Sequence, residues 1–163
     1  QGMSMAKAKH GSATASPHLA LEHFLPYRLS ILSNTVSNAI ARDYQEKFGL
    51  TVPEWRVMAV LGRFGPATAT GIGARTAMDK VTVSRATNRL IERGQVLRST
   101  DTDDRRRAIL ELTQKGQNIH DRIVPVALAH ERGLLEALNK KEKETLDALL
   151  AKLQSHTDRD GPN

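Results

Sequence analysis

Thr82, Arg85 and Arg89 recur at i, i+3 and i+7, so a helix would project them from one side, with Ser84 and Asn88 flanking that side. Val83, Thr87 and Leu90, spaced i, i+4 and i+7, would form the opposite side and dock on a core. Arginine can grip a base edge with two parallel hydrogen bonds, and Arg, Asn, Ser and Thr all suit base edges or phosphates. A second cluster, Asp104-Arg105-Arg106-Arg107, follows shortly downstream. Residues 80–107 hold eight Lys or Arg against four Asp or Glu, a local excess of four positive charges. The chemistry this suggests is a grip on DNA in two grooves. The plainer alternative is a solvated surface helix followed by a charged turn.

The elements around these residues decide between the two. Pro26 to Phe48 carries apolar residues at three- and four-residue intervals (Leu29, Leu32, Val36, Ala39, Ile40, Tyr44) and stops at Gly49, which predicts a long first helix. Thr51-Val52-Pro53-Glu54 has the form of a capping box with proline in the first turn and opens a second helix that ends before Gly65-Pro66. Thr68 caps a short third helix through Ala77, and Asp79 caps the fourth, from Lys80 to Arg93, which stops at Gly94. The period then changes. Val96 to Thr100 and Ala108 to Leu112 read as antiparallel strands with the Asp101–Arg107 segment as their exposed tip. Thr113 caps a fifth helix running to about Leu138 with a kink at Pro125, and Asn139-Lys140-Lys141-Glu142 opens a sixth carrying Leu146, Leu149, Leu150 and Leu153.

Two short helices, a polar-faced helix and a basic hairpin in that order describe a winged helix-turn-helix: a mostly α fold with a small β wing and long terminal helices. The second helix of the turn would enter the major groove, with the hairpin beside it over the backbone or minor groove. The terminal helices carry apolar stripes that one small lobe cannot cover, so a homodimer is expected, presenting two reading helices to two half-sites of double-stranded DNA. The resulting organisation is a flexible basic arm over 1–17, a dimerisation helix over 18–50, a DNA-binding lobe over 51–113, dimerisation helices over 114–156 and a frayed tail over 157–163. Gln1-Gly2 ahead of Met3 resembles the scar of a cleaved tag and carries no weight for the fold.

The whole chain narrows the classes further. Its 163 residues carry a formal net charge of +6, which favours an anionic partner, and the absence of cysteine excludes disulfides, thiolate zinc sites and cysteine redox sensing. No apolar run approaches a membrane span and no signal-peptide core is visible, so no membrane partner and a cytoplasmic location are expected. There is no phosphate-binding glycine loop, nucleophile elbow or catalytic carboxylate motif, so an enzyme is not expected, nor is a cofactor. The six histidines, at 10, 18, 23, 120, 130 and 156, lack close metal-ligand spacing.

Several linked segments resemble the multiple antibiotic resistance regulator (MarR) family. They are Asp79-Lys80-Val81-Thr82-Val83-Ser84-Arg85, Leu90-Ile91-Glu92-Arg93-Gly94, Asp101-x-x-Asp104-Arg105-Arg106, and Leu110-x-Leu112-Thr113-x-x-Gly116. The similarity runs from about Leu21 to Leu153. It implies a triangular dimer joined by the terminal helices, bound to palindromic operator DNA, usually as a repressor and usually released by a small ligand. Carried over, Thr82, Ser84, Arg85, Asn88 and Arg89 would face the major groove. Arg106, held by Asp104, would enter the minor groove, and Arg105 would contact phosphate. The competing structural role for Arg105 to Arg107 is pairing with Asp101, Asp103 or Asp104 to fix the hairpin.

All the aromatic residues (Phe24, Tyr27, Tyr44, Phe48, Trp55, Phe64) fall within the first two helices and their approach. The resemblance places an inducer pocket between those helices and the fifth. Its candidate contacts are Tyr27, Arg28, Ile31, Asn34, Trp55 and Met58, with Ser30 and Arg56 nearby, a set suited to a planar organic anion. Plain core packing is the other use for such aromatics. The segments Leu21–Leu29 and Thr51–Arg56 are also similar to members that sense aromatic acids or hydroxycinnamoyl coenzyme A thioesters. The alternatives are a ligand-independent architectural DNA-binding protein and a metal-responsive regulator.

Overall fold

The computed structural model describes residues 17–159. Residues 1–16 of the arm and tag remnant expected over 1–17, and the last four residues of the expected tail, lie outside them. The chain divides by packing after Asn34, inside its first long helix. In the first unit a 3-10 turn at Leu21–His23 precedes α1 (Leu25–Phe48); Phe24 between them and Tyr27, Leu29, Ile31 and Leu32 along the helix are all exposed. The 3-10 turn has no counterpart in the sequence reading, because three residues carry no periodicity.

The second unit holds the rest of α1, then α2 (Val52–Phe64), α3 (Ala69–Thr76), α4 (Lys80–Glu92), β1 (Val96–Thr100), β2 (Ala108–Leu112), α5 (Gln114–Leu135) and α6 (Lys140–Arg159). The starts follow the caps expected from sequence. Thr51 and Glu54 form a reciprocal capping box with Pro53 in the first turn of α2, Thr68 accepts the Gly71 N–H, and Asp79 accepts the Thr82 N–H. At the head of α6 the Asn139 N–H donates to Glu142 Oε1 and the Glu142 N–H to Asn139 Oδ1. Two ends differ from expectation. The chain after Leu135 tightens into i→i+3 bonds, Ala137 N–H to Leu134 and Leu138 N–H to Leu135, so α5 closes about three residues early. α6 runs on through His156 to Arg159, past the point where polar composition suggested fraying, with Gln154 Nε2 bonded to Asp158 and the Arg159 Nε to the Ser155 carbonyl.

Strands β1 and β2 pair antiparallel with Val96 opposite Leu112 and Thr100 opposite Ala108. Ala67 adds a bridge to Leu110 through two backbone bonds of 3.0 and 2.8 Å, giving the wing an anchor between α2 and α3 that composition alone did not reveal. The core gathers one face of each element: Tyr44 from α1, Val57, Met58 and Leu61 from α2, Ile72 from α3, Val83 and Leu90 from α4, Val96 and Leu110 from the wing, and Ile123 from α5. Leu50 fills the turn between α1 and α2. This packing fixes α4 with its polar face outward. By contrast, α6 buries none of its residues, and Leu146, Leu149, Leu150 and Leu153 form an exposed apolar stripe along it.

Candidate nucleic-acid interface

Helix α4 separates its faces as its spacing requires. Val83, Ala86, Thr87 and Leu90 are buried, whereas Ser84, Arg85, Asn88 and Arg89 are exposed and Thr82 is half-buried at the N-terminus. Thr87 therefore packs rather than reads, as its position predicts. The helix begins on Asp79, which accepts the Thr82 N–H at 2.8 Å and the Thr82 hydroxyl at 2.9 Å. Those two bonds hold the Asp79 carboxyl below the usual carboxylate range. Ala77 supplies the turn between α3 and α4 with φ of +54°, a left-handed conformation unusual for a residue with a Cβ.

The five residues expected to read bases split into two rows. Thr82, Arg85 and Arg89 line a groove of about 380 Å³ against Thr51, Pro53 and Glu54 at the start of α2. Ser84 and Asn88 lie toward the wing, where Arg98 of β1 donates to Asn88 Oδ1 at 3.1 Å. Arg98 was not among the sequence candidates, since an isolated arginine on a strand gives no spacing signal. The Thr51–Glu54 spacing accounts for Glu54 only as a cap. In the structure it also pairs with Arg93 at 3.2 Å and lies 4.0 Å from Arg89. Val81, exposed in the first turn of α4, adds an apolar contact surface of the kind a thymine methyl can use.

The wing tip is shaped through its backbone. The Asp104 side chain accepts the Arg106 N–H at 3.0 Å, Asp101 Oδ1 accepts the Asp103 N–H at 3.0 Å, and Asp101 N–H reaches the Arg107 carbonyl at 2.9 Å. Asp104 thus holds Arg106 by its amide, not by its guanidinium. Among the described residues the side chains of Arg105, Arg106 and Arg107 form no ion pair. The hairpin is built without consuming those charges, which leaves them for an outside anion.

The candidate ligand contacts divide between the two units. Tyr27, Arg28, Ile31 and Asn34 are exposed in the first. In the second, Met58 is fully buried in the core, and Trp55 lies in an aromatic stack between Tyr44, at 5.9 Å, and His120 of α5, at 5.8 Å. Burial pushes the Tyr44 phenol up to about 12, partly opposed by Arg56. His120 lies against Gly62, whose missing side chain makes room for the imidazole. The remaining second-unit aromatics go elsewhere: Phe48 lies under Arg122 and Phe64 under Arg75. Among the described residues no three His, Asp or Glu side chains gather as a metal-binding group, and no helix is long and apolar enough to cross a membrane.

A polar-faced helix seated on a trihelical lobe, with a basic two-stranded wing beside it, defines a winged helix-turn-helix DNA-binding protein. A sequence model of the MarR family matches residues 48–107, the stretch from the end of α1 through the wing tip. The chain is similar to the transcriptional repressor NicR of Pseudomonas putida, 31% identical over 104 residues that cover 64% of this chain and 66% of the repressor. A MarR/EmrR family transcriptional regulator from Acinetobacter sp. ADP1 shares the fold with a TM-score of 0.78 at 27% identity, over 86% of this chain and 99% of that one. Bordetella bronchiseptica BpsR, whose DNA binding is regulated by 6-hydroxynicotinic acid, matches with a TM-score of 0.65 at 25% identity, over 78% of this chain and 98% of its own. The chain belongs to the MarR family of transcriptional regulators. These relatives are regulators of transcription, not enzymes.

Proposed function

We propose that this chain is a homodimeric, ligand-released repressor that reads a palindromic operator with α4 and clamps the adjacent minor groove with its wing. The observation that carries this reading is the α4 face. Thr82, Ser84, Arg85, Asn88 and Arg89 stand on the side opposite a fully packed stripe, beside a wing tip whose three arginines have no acid partner among the described residues. In this reading Arg85, Arg89 and Asn88 contact base edges, Thr82 and Ser84 fix the helix on the backbone, Arg106 enters the minor groove and Arg105 touches phosphate. Dimerisation is supported by the apolar side chains left exposed on α1 and α6, which a second copy would cover. Twofold symmetry then places two α4 helices on successive major grooves.

The effector in this reading is a small aromatic acid or its coenzyme A thioester. Two observations support it: the Tyr44–Trp55–His120 stack offers π faces with Arg56 beside it as a cation, and the similar protein BpsR responds to a hydroxylated pyridine carboxylate. Trp55 is the single tryptophan, so its fluorescence is a site-specific probe. Benzoates, hydroxycinnamates, hydroxynicotinates and their thioesters are titrated first against protein alone and then against the protein–DNA complex. Tyr27→Ala, Arg28→Ala, Ile31→Ala and Asn34→Ala join the panel, and those that weaken the ligand belong to its site. A compound that quenches Trp55 and releases DNA over the same concentrations supports the reading. DNA binding that no compound changes would move the assignment to a ligand-independent architectural or metal-responsive protein.

A further inference from the structure

One carboxylate reaches from α2 to the reading face, and it divides the two arginines there. Glu54 is 1% exposed. Its Oε2 accepts the Thr51 N–H and the Arg93 Nη1, both at 3.2 Å, while Arg93 is itself fixed to the Gly49 carbonyl at 3.0 Å. The other oxygen, Oε1, lies 4.0 Å from Arg89 Nη1. Glu54, Arg85 and Arg89 line the same groove, yet Arg85 has no acid partner among the described residues. Two arginines one helical turn apart on one face are therefore not equivalent. Arg85 is free to reach base edges and phosphates alike, whereas Arg89, with its side chain 63% exposed, has a fixed, buried anion 4.0 Å from its tip.

Resting on the reading of α4 as the DNA-reading helix, we propose that Glu54 is a positioning residue that determines specificity. Its carboxylate holds Arg89 back from arbitrary phosphates and aims the guanidinium along α4. Arg89 then adds to binding only where the DNA offers an acceptor in the place this tether allows. Non-specific DNA meets a reading face short of one mobile cation. The operator meets an arginine already oriented, so less freedom is lost on contact.

The test uses the full-length chain and two probes: a duplex enriched by the wild type from a randomised library, and a scrambled duplex of the same composition. Glu54→Gln keeps an oxygen for the Thr51 N–H and removes the charge; a melting curve checks the fold. The variant binds the scrambled duplex about two- to fivefold more tightly while the enriched duplex changes less, so discrimination falls. On the scrambled duplex the slope of log K against log salt steepens by up to about 0.9, the value for one additional phosphate neutralised. Both changes disappear in an Arg89→Gln background. Unaltered discrimination and slope in Glu54→Gln, or a change that persists in Arg89→Gln, overturns the proposal and leaves Glu54 a partner of Arg93 alone. A comparison that leaves Glu54 untouched guards against misfolding: Arg85→Gln weakens both duplexes, Arg89→Gln chiefly the enriched one, and equal losses on the scrambled duplex contradict the tether. If the wild type itself does not prefer its enriched duplex, the reading of α4 fails and takes this inference with it.

Discussion

Replacing Gly116 by alanine sets two opposing effects against each other at the joint between the wing and α5. Gly116 is buried in the first turn of α5, where its N–H is capped by Thr113 Oγ1 at 3.1 Å. In a helix interior, Gly→Ala gains up to about 1 kcal/mol in propensity, which argues for a more stable protein. A Cβ built at this site, however, falls 2.0 Å from the Gln95 carbonyl oxygen and 3.3 Å from Leu112 Cδ2. The first neighbour is backbone and cannot swing aside, and the same carbonyl accepts the Thr113 N–H at 3.1 Å. Either α5 or the start of β1 must retreat by about an ångström. Overpacking of this kind costs about 1–3 kcal/mol, and losing the Thr113 bond adds about 1 kcal/mol. The net expectation is destabilisation of about 1–3 kcal/mol, read as a fall in Tm of roughly 2–12 °C for a chain of this size. Because α5 leaves the reading lobe here, DNA affinity falls with it. Thermal unfolding by circular dichroism and a DNA titration on the same preparation check both. A Tm equal to or above the wild type with unchanged DNA binding would refute the reasoning.

Three further outcomes follow from other parts of the molecule. Thr87 is fully buried and its hydroxyl has no partner among the described residues, so Thr87→Val should leave stability unchanged or raise it by about 1 kcal/mol in denaturant melts; a clear loss would mean that the hydroxyl has a partner. Tyr44 ionises only at about 12, above its ordinary 10.0, so the stability linked to its protonated form is intact below pH 10 and is lost as the pH rises toward 12. Ultraviolet titration of wild type against Tyr44→Phe checks this, and a tyrosine signal at pH 10 lost in Tyr44→Phe would contradict the burial. Leu149→Glu places a charge in the exposed stripe of α6; if that stripe joins two copies, sedimentation shows a shift to monomer and tight DNA binding is lost, whereas an unchanged dimer would place the interface elsewhere.

What the chain disclosed in advance was mostly periodicity and capping chemistry. The α4 faces followed from the spacing of Val83, Thr87 and Leu90, and the helix starts from Thr51, Thr68, Asp79, Thr113 and Asn139, because each rests on interactions a few residues apart. Features joining distant segments were not legible. The Ala67–Leu110 bridge spans the whole reading helix, the Arg98–Asn88 bond crosses from strand to helix, and Glu54 meets Arg89 and Arg93 only once α2 packs on α4. Asp104 illustrates a subtler limit. The family resemblance implies that Asp104 holds Arg106, and at so short a separation it does so through the backbone amide, which leaves the guanidinium outward. In the second unit Tyr44 and Trp55 converge, whereas Phe48 and Phe64 lie under separate arginines, since successive positions on a helix point in different directions.

The central claim, that α4 reads sequence while the wing holds the backbone, is tested most directly by enriching a randomised duplex library with three proteins in parallel: wild type, Arg85→Ala and Arg106→Ala. The account predicts a single palindromic motif for the wild type. It predicts a relaxed motif at one position of each half-site for Arg85→Ala, with a cost of about 1–3 kcal/mol at the original sequence. For Arg106→Ala the motif is retained, with affinity lowered across all sequences. No enriched motif from the wild type, or a motif unchanged in Arg85→Ala but lost in Arg106→Ala, would contradict it.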